Sequence, residues 1–95
     1  MAVTPTPGIA NITSSIPGQP VDALSANLSG GYIFNPSGSP TNLYVDPTGP
    51  ASTLGNGSSM AIQPGGTYYA IPGSTLPVSV ASTVPNMSFV SVQWI

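Results

Sequence analysis

The stretch Ser88-Phe89-Val90-Ser91-Val92-Gln93-Trp94-Ile95 decides the fold class. Phe89, Ser91 and Gln93 alternate with Val90, Val92 and Trp94, and a period of two is the signature of a pleated strand, whose successive side chains leave on opposite faces. The more apolar set, Val90, Val92 and Trp94, is the expected core face. Toward the N-terminus the same texture recurs in short runs divided by turn residues. Leu76 to Val80 reads as one strand. Thr67-Tyr68-Tyr69-Ala70-Ile71 and Ser59-Met60-Ala61-Ile62 read as two more, joined through Gln63-Pro64-Gly65-Gly66 into a β-hairpin. Leu43-Tyr44-Val45 is closed by Asp46-Pro47-Thr48-Gly49-Pro50, and Tyr32-Ile33-Phe34 by Asn35-Pro36-Ser37-Gly38-Ser39-Pro40, which predicts two strands with a tight connection. The sum is an all-β domain over residues 30–95, a small β-sandwich or jelly-roll-like body of about six short strands.

Ahead of that domain the texture differs. Pro5, Pro7, Pro17 and Pro20 stand among Ser, Thr, Gly and isolated apolar residues, a composition that favours extended backbone and predicts a Pro-rich N-terminal arm over residues 1–29. Within it, Val21 to Leu28 alone has the apolar spacing for a helical turn, with Asp22 near its start. The residues from Met1 to Gly8 lack the positive and apolar regions of a secretory signal, so export by that route is not expected. No run approaches the length that spans a bilayer as a helix.

Charge is the most informative feature of the composition. Of 95 residues, 40% are apolar, enough for a core, but only 2% are charged, against about a quarter in ordinary soluble domains. Asp22 and Asp46 are the whole inventory, and a net charge of -2 gives little protection against self-association. With no Lys, Arg or His, neither nucleic acid nor an anionic membrane surface can be held by charge. A six-strand domain of this size is marginal on its own, and the absence of Cys removes disulfides and thiolate sites. Oligomerisation or docking on a larger body is the remaining source of stability.

The same composition argues against catalysis. General acid–base work needs His, Lys, Cys or a pair of coupled carboxylates, and only the last could exist here, if Asp22 and Asp46 met in the fold. Asp46 has a plainer role as acceptor for the backbone of its own turn. A serine nucleophile would lack a base, and the Gly-rich pieces at Gly55–Gly57 and Pro64–Gly66 lack the lysine of a phosphate loop. A calcium cage would want more carboxylates than Asp46 supplies. No catalytic, cofactor-binding or metal-binding residue is therefore assigned, and no cofactor is expected. The sequons at Asn11, Asn27, Asn56 and Asn86 follow from composition. Tyr32, Tyr44, Tyr68, Tyr69 and Trp94 could stack on sugars, although tyrosines on strands more commonly serve cores or interfaces.

The segments Gly30-Gly31-Tyr32-Ile33-Phe34-Asn35-Pro36, Leu43-Tyr44-Val45-Asp46-Pro47, Ile62-Gln63-Pro64-Gly65-Gly66-Thr67-Tyr68, Pro77-Val78-Ser79-Val80-Ala81-Ser82 and Phe89-Val90-Ser91-Val92-Gln93-Trp94 together resemble small virion structural proteins of tailed bacteriophages. That resemblance covers about two-thirds of the chain. It implies a non-enzymatic capsid decoration (cement) protein that stabilises the particle through its arm and β domain, or a neck, tail or fibre accessory module with receptor or glycan binding. The implied partners are the major capsid protein or neck and tail proteins, and further copies of the chain, with a trimer favoured. The implied location is the virion, assembled in the host cytoplasm.

Overall fold

The computed structural model describes residues 10–14, 18–24, 30–54, 58–73 and 76–93. Among them are eight strands and no helix: β1 (Ala10–Ser14), β2 (Val21–Leu24), β3 (Gly31–Phe34), β4 (Leu43–Asp46), β5 (Met60–Ile62), β6 (Thr67–Ala70), β7 (Val78–Ala81) and β8 (Met87–Gln93). They form two four-stranded antiparallel sheets, ordered β1-β8-β3-β6 and β2-β7-β4-β5.

One core serves both sheets. Ile33, Ala70, Met87 and Phe89 from the first join Ala23, Leu24, Leu43, Val45, Val78 and Val80 from the second, with Val21, Ile62 and Tyr68 packed against the cluster. Phe89, Ile33, Leu43, Val45 and Val80 are fully buried, and side chains of this kind each contribute about 1.5–3 kcal/mol when removed from water.

Several sequence expectations are corrected here. Two further strands come from the stretch read as an arm: β1 pairs with β8 from Ala10↔Ser91 to Ser14↔Met87, and β2 pairs with β7. The domain therefore begins no later than Ala10 rather than at residue 30. Backbone pairing needs no apolar side chain, so Asn, Thr and Ser can occupy a strand whose ladder is supplied by β8. Over Val21–Leu24 the expected helical turn is a strand; residues 25–29 lie outside the described residues. Its register shifts between Asp22 and Leu24, and this irregularity accounts for Ala23 and Leu24 being buried in succession, which strict alternation forbids.

The hairpin expected over Ser59–Ile71 is also overturned. β5 pairs with β4 in one sheet and β6 with β3 in the other. The turn between them has hairpin-like chemistry: Gly66 N–H donates to the Gln63 carbonyl at 2.8 Å, Pro64 sits at the second position, and Gly65 has φ +88°, as a type II turn requires. Its outer hydrogen bonds go elsewhere. Gly65 N–H donates to the Asn35 carbonyl (2.6 Å) and Asn35 N–H to the Gly66 carbonyl (3.0 Å), which ties the turn to the end of β3 and carries the chain from one sheet to the other. The strands read at Tyr32–Phe34 and Leu43–Val45 likewise fall in different sheets.

On β8 the inward face is Met87, Phe89 and Ser91 rather than Val90 and Val92. Phe89 is the largest side chain of the described part of the strand and takes the enclosed side, while half-buried Val90 and buried Val92 lie on the outer face. Trp94 lies outside the described residues.

Candidate functional site

Sequence reasoning left two carboxylates, a set of tyrosines and several turns as the places where chemistry could reside. The structure puts Asp22 and Asp46 in one cross-strand row, each directly opposite Ser79 on β7 and hence on the same outer face of the second sheet. Two strand spacings separate their backbones, about 10 Å, too far for a shared-proton pair.

Asp46 is occupied locally, as its Asp-Pro-Thr-Gly context predicts. Oδ1 accepts from Thr48 N–H (2.8 Å) and the Thr48 hydroxyl (2.9 Å), and Oδ2 accepts from the Ser59 hydroxyl (3.0 Å). Burial by itself pushes the carboxyl up, but the Thr48 bonds, the Ser59 hydroxyl and the Gly49 backbone outweigh it, so Asp46 titrates below the ordinary aspartate value. Ser79 Oγ accepts from Ala51 N–H (3.0 Å), and Ser59 Oγ accepts from Ser52 N–H (2.9 Å). Together these bonds strap the segment after β4 to the outer face of the second sheet at Ser79, which is buried although it points outward. The role is structural, and Asp22 is left as the exposed charge.

Asn35 is a second polar anchor, one that sequence reading treated only as a turn residue. It is fully buried, and its Nδ2 donates to the carbonyls of Ile62 (2.8 Å) and Thr41 (3.2 Å). With its two backbone bonds it holds the β3–β4 connection, the end of β5 and the Pro64–Gly65 turn together. Its Oδ1 is buried with no hydrogen-bonding partner among the described residues.

The tyrosines do not converge. Tyr69 (73% exposed) and half-buried Tyr32 are cross-strand neighbours on the outer face of the first sheet, with ring centroids 6.2 Å apart and planes tilted by 53°. Tyr44 lies on the outer face of the second sheet, opposite Ala61 and Ala81. Tyr68 points inward against the core, where burial, and secondarily the Asp46 charge, push its phenol up. Tyr68 also lines a groove of about 290 Å³ with Pro47, Thr48, Ile71 and Pro72. A second groove of about 300 Å³ lies between the Pro36–Pro40 turn and Val84–Ser88 and holds no titratable side chain. Beside it Asn86 adopts φ +57°, a left-handed turn conformation that Asn tolerates better than most residues.

Among the described residues no three His, Cys, Asp or Glu side chains lie together, and no helix is long and apolar enough to cross a membrane. No protein-family model, no curated protein and no solved structure matches the chain.

Proposed function

We propose that the chain is a non-enzymatic structural subunit of a bacteriophage particle, a jelly-roll decoration (cement) protein that binds the particle and other copies of itself through apolar and backbone contacts. The strand order supports the architecture. The ribbon pairs β1–β8, β2–β7, β3–β6 and β4–β5 are divided alternately between two sheets, the arrangement an eight-stranded ribbon adopts when it wraps into a double Greek key. Viral capsid domains and lectins both use that architecture, so the function is argued from the surface.

The observation that carries the reading is the near-disappearance of charge from that surface. The sequence has two charged residues, and one of them, Asp46, is consumed by its own turn. A surface with Asp22 as its only charged side chain has almost no electrostatic defence against association, a poor state for a free monomer and a suitable one for a subunit seated against neighbours. Sedimentation and thermal melts of the purified chain over a wide concentration range test this. Larger species whose melting temperature rises with concentration support the reading, and a sharply melting monomer at all concentrations rejects it.

A neck, tail or fibre module that binds glycans is the second reading, favoured by the exposed Tyr69 ring beside Tyr32 on an open strand face. A glycan array probed with the chain and with Tyr69→Ala tests it: tyrosine-dependent binding to any sugar class supports it, and a blank array counts against it.

A further inference from the structure

We propose that the edge of β6, unpaired among the described residues, is where one copy of this chain binds another, strand against strand across a two-fold axis. The inference rests on the self-association read above and supplies the surface that reading leaves open. Among the described residues the sheets end on four strands: β1 and β6 in one, β2 and β5 in the other. In an antiparallel pair, every second residue of an edge strand turns its N–H and C=O outward, which makes the edge a template for another strand. Proteins that remain apart guard such edges with charges, prolines or bulges.

The edges are guarded unequally, and of the two that carry neither a charge nor a register break over four residues or more, β1 and β6, only β6 contains aromatic residues. β2 carries exposed Asp22, and its register slips between Asp22 and Leu24. β6 has neither device: it pairs with β3 without interruption from Gly31↔Ala70 to Phe34↔Thr67, and Thr67-Tyr68-Tyr69-Ala70-Ile71 contains no charge and no proline. β5 is also uncharged but is only three residues long, which leaves less backbone to pair.

The absence of charge admits a second copy as the occupant. An isologous contact sets each residue against the same strand of the other copy, so a charged edge repels itself, and the β6 edge has nothing to repel. Side chains point the same way. On the outer face, Val92, Tyr32 and Tyr69 form a cross-strand row that ends at the exposed Tyr69 ring. A second β6 laid antiparallel beside the first puts its own Tyr69 next in that row. The two sheets become one continuous sheet crossed by a stripe of four tyrosines, the kind of aromatic cross-strand neighbours that stabilise sheets.

Two variants of the full chain test the contact. Tyr69→Lys sets two ammonium groups against each other at the axis and should weaken association by about a hundredfold or more in sedimentation, whereas Asp22→Lys on the β2 edge should associate like the unmodified chain. Because the chain has no cysteine, Tyr69→Cys provides a single thiol. Oxidation with diamide, which takes up the two hydrogens as two thiols become one disulfide, should give covalent pairs at low protein concentration, while Asp22→Cys should not. If Tyr69→Lys fails to fold, the cysteine variant decides alone. Association undiminished in Tyr69→Lys together with no crosslinking of Tyr69→Cys overturns the edge contact while leaving self-association intact. A strictly trimeric unmodified chain overturns it too, since a two-fold contact cannot close three copies. An unmodified chain that is monomeric throughout overturns both the contact and the reading beneath it.

Discussion

A β-carbon on Gly31 would fall inside the van der Waals envelope of the Val92 carbonyl oxygen and crowd Gln93 as well. Both belong to β8, the strand on which β1 and β3 depend, so the clash cannot be relieved by turning a side chain; the backbones must part. Gly31→Ala is therefore expected to cost on the order of 2–4 kcal/mol, the range reached when overpacking strains backbone. Gly38→Ala, where an added methyl meets nothing, is the control, and urea melts of the two compare them. Asp46 carries a different kind of prediction. Its folded-state carboxyl titrates below the ordinary value of 3.8, so the ionised form favours folding; that contribution is present above the unfolded value and fades as pH falls through the folded one. Thermal melts from neutral pH downward should show stability declining below about pH 4. Asp46→Asn, which keeps the shape but loses the charge-assisted bonds, should be less stable at neutral pH by about 2 kcal/mol and should lack that acid-dependent decline. A parallel decline in both proteins would assign the acid sensitivity elsewhere.

At the scale of elements, the short apolar and aromatic runs were legible as strands and their partners were not. β3, β4, β6 and β8 announce themselves as such runs between turn residues, and each lies within a residue or two of where the pattern puts it. Pairing is a different matter, since it is set by hydrogen bonds distant in sequence. The Pro64–Gly65 turn has the local chemistry of a hairpin, yet Asn35, some thirty residues upstream, captures both its outer backbone groups and directs β6 to the other sheet. Both faces of β8 carry apolar residues, so periodicity alone could not say which was inward, and the bulk of Phe89 settled it. β1 was illegible because its residues are mostly polar and β8 supplies its ladder. Of the candidate sites, the local role of Asp46 could be read from its turn sequence, whereas buried Asn35 could not, because nothing local signals a side chain bridging Thr41 and Ile62. The revised N-terminal boundary is open to direct test. A chain starting at Gly30 loses β1 and β2, strips both β8 and β7 of a neighbour, and removes Ala23 and Leu24 from the core. It should lack a cooperative thermal transition, as followed by circular dichroism. A truncated chain that melts as sharply as the full one would restore the reading of residues 1–29 as an arm outside the folded domain.

For the molecule as a whole, the decisive quantity is how little of its surface chemistry salt can screen. Ordinary surface contacts lean partly on ion pairs, which fade as the Debye length shrinks from about 30 Å at 0.01 M to about 3 Å at 1 M ionic strength. Here there is no cation among the side chains at all, and of the two anions Asp46 is buried against its own turn. No ion pair between side chains of two copies can form, so under the proposed association the contact draws on apolar burial and hydrogen bonds between neutral groups. Self-association should accordingly change less than about threefold across that range of sodium chloride, well under the decade or more lost by contacts steered by charge. Sodium sulfate should tighten it, because excluded salts strengthen the burial of apolar surface whatever the charge. Sedimentation in the two salts at matched ionic strength separates the terms. Dissociation by sodium chloride would mean that a charge outside the side chains, such as a chain terminus, holds the copies together, while tightening by sulfate alone is the response of an interface made from strand edges and tyrosine rings.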